Sequence, residues 1–335
     1  MPVTSRRSAF ILVVARVVPL AALVFAVVLP ATSALAQGAV WPNKPVKIVV
    51  TFPPGGAPDT LARILADKWG QSLGQTFTVD NKPGAAGNIA MQEVANSTDG
   101  HTLILGHIGT LAVNPYIFAK VPYEMKDFIP ITLVSKVPSL YVVHPDLPVK
   151  NLTEFVAYAK ARPGQLNFAI GSVGSSLHLA GDAFKMQSGV FIVNIPYRGT
   201  APAIQDVLAG QVELMFAAVG NAQAQVRAGK LKALGVTSAT RLAAFPDVPA
   251  ISEVLPGYES SAWFGLFAPA GTPAAVVGKL NAEVARILAL ADVRERLFAI
   301  GAEPMSASPE QFSAMVRADV DKWGKLVRAA GISAD

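Results

Sequence analysis

The chain has 335 residues, no cysteine, 52% hydrophobic residues and a formal net charge of +5. Without cysteine there is no disulfide framework, no thiol nucleophile and no thiolate metal site. Its 28 basic and 23 acidic residues are scattered along the chain, which argues against the clustered basic face that nucleic acid requires.

Arg6 and Arg7 precede an apolar stretch from Phe10 to Leu29, broken by Arg16 and Pro19, and the segment closes on Ala34-Leu35-Ala36. Basic, apolar, then small is the order of a secretory signal peptide. The alternative is a retained membrane helix, which needs about 20 apolar residues; Arg16 and the cleavage motif favour removal. The pair Arg6-Arg7 ahead of Phe10 leaves both the general and the twin-arginine export routes open. Cleavage after Ala36 leaves 299 residues and lowers the net charge to +2, because three arginines and no acid depart. That length suits two domains. No later stretch is apolar enough to span a bilayer, so the mature chain is expected to be soluble.

Val46 to Phe52 reads as a β-branched strand, ended by Pro53-Pro54-Gly55-Gly56. Asp59 is placed to cap a helix carrying Leu61, Ile64, Leu65, Trp69 and Leu73 at helical spacing, with Gly74 as its stop. Strand Phe77 to Val79 runs into the turn-rich Asn81 to Gly87, a helix follows to about Asn96, and His101 to Leu105 forms a third strand. Ile131 to Val143 reads as one strand-like stretch, and Thr153 to Ala161 as a helix. Strand Leu166 to Ile170 leads through Gly171-Ser172-Val173-Gly174-Ser175-Ser176 into a helix ending near Gln187. Strand Phe191 to Ile195 leads through Tyr197-Arg198-Gly199-Thr200, with Thr200 as cap, into a helix ending at Leu208. Val212 to Ala218, Leu231 to Val236 and Trp263 to Ala268 are further strands, and helices begin near Pro273, Asp292 and Pro309. Alternation of strand and helix predicts mainly parallel α/β sheets. The last helix opens on Ser308-Pro309-Glu310-Gln311, a capping box, and its apolar face is expected to pack back on the first half of the chain.

Two glycine-rich loops lie between a strand and a helix, 53–58 and 171–176. Amides at helix starts favour an anion, and two such loops suggest a ligand gripped from both sides; simple turns would read the same way. Neither loop is a P-loop or a dinucleotide fingerprint, and no Gly-x-Ser-x-Gly elbow occurs. His101, His107, His144 and His178 lack metal-ligand spacing. His101 and His144 read as strand-end residues, while His107 and His178 either line a pocket or cap a helix. Ser175 and Ser176 have no base supplied by the sequence, so capping is their expected role. Arg198 either pairs with a ligand carboxylate or forms an ion pair within its lobe.

From Trp41 onward the chain resembles the tripartite tricarboxylate transporter substrate-binding proteins, the Bug family. The resemblance is carried by Trp41 to Val46, the Gly55-Gly56 loop, Val79 to Asn88, Ser176 to Gly181, Val193 to Ala203, Gly235 to Ser238 and Trp263 to Leu266. It implies an α/β, two-lobed periplasmic-binding-protein fold (type II, a "Venus flytrap"). The leader would be 1–36, the first lobe 37–140 plus 256–335, and the second lobe 141–255. It also implies a periplasmic monomer that needs no cofactor or metal. Such a protein holds a small organic carboxylate, a dicarboxylate or an aromatic one, and delivers it to the membrane subunits of a tripartite transporter. The ligand contacts would come from Phe52, Gly55, Gly56, Ala57 and His107 in the first lobe, and from Ser172, Ser175, Ser176 and Thr200 in the second. Two departures stand out: Ala217 where many relatives carry aspartate, and His107 where a small hydroxylated residue is common. Losing a carboxylate disfavours an amino-acid ligand, and together the two fit a carboxylate with an apolar or aromatic body. A ligand sensor for a membrane signalling partner remains an alternative. A hydrolase or isomerase would need an activated serine or a general base, and no such pair is visible.

Overall fold

The structure, a computed structural model, describes residues 41–171 and 173–334. The leader read over residues 1–36 and the site residue Ser172 lie outside the described residues.

The first part of the chain runs β1 (Val46–Val50), α1 (Ala57–Leu73), β2 (Phe77–Asn81), α2 (Asn88–Ala95) and β3 (Thr102–His107). A π-helical turn at Gly109–Val113 continues into the short α3 (Asn114–Ile117), and β4 (Phe128–Val137) follows. Next come β5 (Ser139–Val143), α4 (Leu152–Lys160), β6 (Asn167–Ile170), α5 (Ser176–Ser188), β7 (Val193–Pro196), α6 (Thr200–Leu208), β8 (Leu214–Ala218), α7 (Val219–Arg227) and β9 (Lys232–Val236). The chain closes with β10 (Ala262–Pro269), α8 (Ala274–Leu288), α9 (Ala291–Ala299), the two-residue β11 (Glu303–Pro304) and α10 (Pro309–Ala330).

These strands build two sheets, ordered β11-β4-β10-β3-β1-β2 and β7-β6-β8-β5-β9. The βαβ units run parallel, as alternation predicts, but each sheet admits antiparallel strands: β10 and the edge strand β11 in the first sheet, and β5 in the second. β10 lies between β3 and β4, and β5 lies between β8 and β9. The stretch 131–143 is therefore two strands in two sheets, not one, and Pro138 stands at the break. Proline has no N–H for a ladder, so a strand ends there readily. The crossover is direct: β4 leaves one sheet and β5 enters the other.

Both faces of each sheet are covered, which explains near-continuous apolar strands. In β1, Val46, Ile48 and Val50 face the layer of α1 and α8, while Val49 faces the opposite layer with Met91 and Phe312. α10 supplies Phe312, Val316, Trp323 and Val327 to that second layer. Its start is the predicted capping box, with Ser308 Oγ accepting from Gln311 N–H at 3.2 Å. Gly265 makes the docking possible, since a Cβ there would lie 2.0 Å from the Phe312 ring.

Two caps differ from expectation. α1 starts at Ala57 after Gly56, so Asp59 sits inside the first turn and does not cap it. There its carboxylate accepts from Gly55 N–H at 2.9 Å and from Arg63 Nε at 3.0 Å. Likewise Thr200 is the first residue of α6 behind Gly199 (φ 117°), with no capping hydrogen bond from its side chain. In both, the N-cap position is a glycine, Gly56 or Gly199, with no side chain to make the capping hydrogen bond. No helix among the described residues is long and apolar enough to cross a membrane.

Candidate functional site

The carboxyl ends of β1 and β3, the turn after β2 and the start of β10 converge on a cavity of about 320 Å³. Its far wall is the loop Val173–Ser176 that opens α5, so segments from both sheets enclose it. Ligands of open α/β sheets sit at such strand ends.

Thr51, immediately after β1, lines the cavity, and its buried Oγ1 has no hydrogen-bond partner. A buried hydroxyl without a partner costs about 1–3 kcal/mol. Beside it runs a backbone of consecutive positive φ: Gly84 (122°), Ala85 (45°), Ala86 (52°) and Gly87 (91°). Alanine in this region costs about 1–2 kcal/mol per residue, so the surroundings must enforce it. Asn114 Nδ2 donates to the Ala86 carbonyl at 3.0 Å and to Asn88 Oδ1 at 2.7 Å. The Tyr123 hydroxyl donates to the Thr110 carbonyl at 2.6 Å and sits 2.8 Å from Asn88 Oδ1. Gly87 is required for contact, because a Cβ would meet Thr110 Cγ2 at 2.7 Å and Thr51 Cβ at 3.0 Å.

His107 ends β3 and is half-buried in the cavity wall. Its Nδ1 accepts from Gly109 N–H at 3.0 Å, so the neutral ring carries its proton on Nε2. Burial pushes its pKa down to about 3, and the ring is neutral at physiological pH. Phe52 packs on it at 4.7 Å between ring centroids, and Phe264 of β10 completes the cluster, 6.0 Å from Phe52 and 6.2 Å from His107.

Across the cavity, Ser175 caps α5 by accepting from His178 N–H at 3.3 Å. Gly174 N–H donates to His178 Nδ1 at 3.0 Å, and His178 Nε2 faces Asp182 Oδ2 at 3.1 Å. Burial works to raise the Asp182 pKa, but His178 and Lys185 outweigh it and hold the carboxyl down to about 2. The His178 ring is thus spent on tethering the loop and turns away from both serine hydroxyls. Gly174 also touches the first sheet's layer: a Cβ would lie 2.7 Å from Ile117 Cδ1.

Of the residues expected at the site, Phe52, His107, Ser175 and Ser176 line this cavity. Gly55, Gly56 and Ala57 stand at the exposed or half-buried start of α1, just beyond Pro53. Thr200 packs against the other glycine loop, its N–H 2.9 Å from where a Gly171 Cβ would be. Ala217 does not line the cavity. It is wholly buried, sharing a face of β8 with Met215 against Leu140, Val142 and Ala203, because strand alternation turns it into the layer. Arg198 is exposed and forms no salt bridge among the described residues. His101 and His144 stand at the beginning of β3 and the end of β5, as strand-end residues.

Thr51, Asn114, Phe264 and the 84–87 turn were missed as site residues. The turn alone left a signal, its run of small residues after a strand. No lysine, arginine, aspartate or glutamate lines the cavity among the described residues, and no His, Asp or Glu cluster there could hold a metal. The site offers hydroxyls, one imidazole N–H and the positive end of a helix dipole against apolar walls. That chemistry is suited to holding an anion.

Residues 61–332 match the family described as tripartite tricarboxylate transporter family receptor. Protein BugT of Bordetella pertussis is 36% identical over 295 residues, covering 87% of this chain and 90% of BugT. Rpa4515 of Rhodopseudomonas palustris, solved with adipate, is 37% identical with a TM-score of 0.76, covering 88% of this chain and 99% of that one. MatC of the same organism, solved with malate, is 37% identical with a TM-score of 0.70, covering 85% and 99%. The two-sheet architecture and this match lead to one conclusion: the chain belongs to the tripartite tricarboxylate transporter receptor family of solute-binding proteins, the Bug proteins.

Proposed function

We propose that this protein is a periplasmic receptor that captures a small carboxylate between two lobes and passes it, chemically unchanged, to the membrane subunits of a tripartite tricarboxylate transporter. We take the first lobe as 37–138 plus 256–335 and the second as 139–255, a division supported by the break at Pro138 and by the place of β5 in the second sheet. One observation carries the reading: the cavity lies between loops of the two sheets, is lined by Ser175 and Ser176, and faces the start of α5. A carboxylate there is met by hydroxyls and helix amides instead of a salt bridge. Adipate and malate in the related receptors support the ligand class.

Calorimetric titration of the chain from residue 37 against linear and aromatic mono- and dicarboxylates tests it. A bound ligand must also raise the melting temperature, by about 2.7 kcal/mol of stability at a hundredfold excess over Kd. Absence of binding across such a panel would remove the proposal. Gly56→Asp examines the first loop. A Cβ at Gly56 meets only Pro58 Cδ at 3.6 Å, and aspartate is a good N-cap, so the fold persists. The added negative charge should weaken carboxylate binding at least tenfold; unchanged affinity would place that loop outside the site.

A further inference from the structure

Resting on that reading, we infer that the ligand is a monocarboxylate with a flat aromatic body, and that Phe52 and Phe264 select it. The cavity divides into two chemistries. On the wall formed by the Val173–Ser176 loop, its donors are the Ser175 and Ser176 hydroxyls and the start of the thirteen-residue α5. The Phe52, His107 and Phe264 rings form a continuous aromatic wall, each within 6.2 Å of the other two.

Charge decides between one carboxylate and two. No cationic side chain lines the cavity among the described residues, and His107 is neutral with Nδ1 already occupied by Gly109 N–H. Taking a carboxylate out of water costs several kcal/mol unless donors replace its hydration. One helix terminus with nearby hydroxyls can meet one such group. A second carboxylate directed at the aromatic wall would meet no cationic side chain among the described residues, and the one side-chain donor of the three rings is the neutral Nε2–H of His107. An aromatic ring placed there gains offset or edge contacts instead.

The test is calorimetry on the chain from residue 37 with benzoate, hexanoate, adipate and malate as probes. The expected order is benzoate about tenfold tighter than hexanoate, as ring contacts of about 1.4 kcal/mol imply, and both tighter than adipate or malate. Phe52→Leu, at a half-buried position, should weaken benzoate about tenfold while changing hexanoate less than threefold. Phe264→Leu removes the ring at a more buried place and should act in the same direction; melting curves of both variants establish that they fold. Tighter binding of adipate or malate overturns this inference while leaving a carboxylate receptor in place. Equal loss of benzoate and hexanoate in both variants also overturns it, because the rings would then act only as bulk. Failure of all four probes overturns the inference together with the reading it rests on.

Discussion

Gly87 and His107 show how single residues carry the site's strain and charge. With φ at 91° and Thr51 and Thr110 within 3.0 Å of any added Cβ, Gly87→Ala combines an unfavourable backbone with overpacking. The expected loss is about 2–3 kcal/mol in urea denaturation, accompanied by weaker ligand binding as Thr51 shifts. His107 governs pH behaviour. Its folded pKa of about 3 lies below the ordinary 6.5, so between those values the unfolded chain binds a proton that the folded chain refuses. Stability from this residue therefore rises with pH up to about 6.5 and is level above it. His107→Gln should narrow its stability gap to wild type steadily as pH falls from 6.5 towards 3, with no change in the gap above 7, measured by chemical denaturation across that range.

At the scale of elements, α5 and α10 are held by different means. α5 presents the cavity loop through a chain of contacts: Gly174 to His178, His178 to Asp182, and Asp182 to Lys185 at 2.5 Å. Asp182→Asn leaves a mostly buried Lys185 without its counter-charge, so a loss of about 2–4 kcal/mol at pH 7 is expected. The folded Asp182 pKa lies near 2, below the ordinary value of about 3.9. Its stabilisation is thus full at neutral pH and disappears as pH falls through about 2, where variant and wild type should converge. α10 is held by shape. Gly265→Ala drives a methyl into the Phe312 ring, and the resulting displacement of α10 should cost about 3 kcal/mol or more and lower the melting temperature. Helix periodicity made both helices readable from sequence, and Ser308 and Gly74 marked ends correctly. Asp59 and Thr200 misled because each helix begins earlier than a cap at those residues would allow, with Gly56 and Gly199 in the N-cap positions.

For the molecule as a whole, the decisive contacts join the two sheets. Besides the β4–β5 and β9–β10 connections, the end of α9 meets the start of α7 backbone to backbone. A Cβ on Gly220 would lie 2.9 Å from the Ile300 carbonyl oxygen, and one on Gly301 would lie 2.8 Å from Gly220 N. Domain closure pivots on a few such element-terminal residues. Gly220→Val should keep each sheet intact yet wedge the halves apart. Small-angle scattering would then show a larger radius of gyration at saturating ligand, with affinity reduced severalfold. An unchanged radius and affinity would mean that this contact plays no part in closure.

The local parts of this protein were written in its sequence. Residues such as Leu61, Ile64 and Leu65 declare their helix because apolar periodicity and turn chemistry act over a few positions along the chain. The resemblance of the Gly55-Gly56 loop, of Val79 to Asn88 and of Trp263 to Leu266 to the Bug proteins supplied the family. Partnership between distant segments was decided only in three dimensions. The break at Pro138 sends neighbouring strands into different sheets. Phe264 joins Phe52 and His107 because β10 crosses back beside β3, and Ala217, named from sequence as a cavity wall, turns into the layer instead. Sheet order and side-chain facing depend on which segments bury one another, and that free energy belongs to the packed whole.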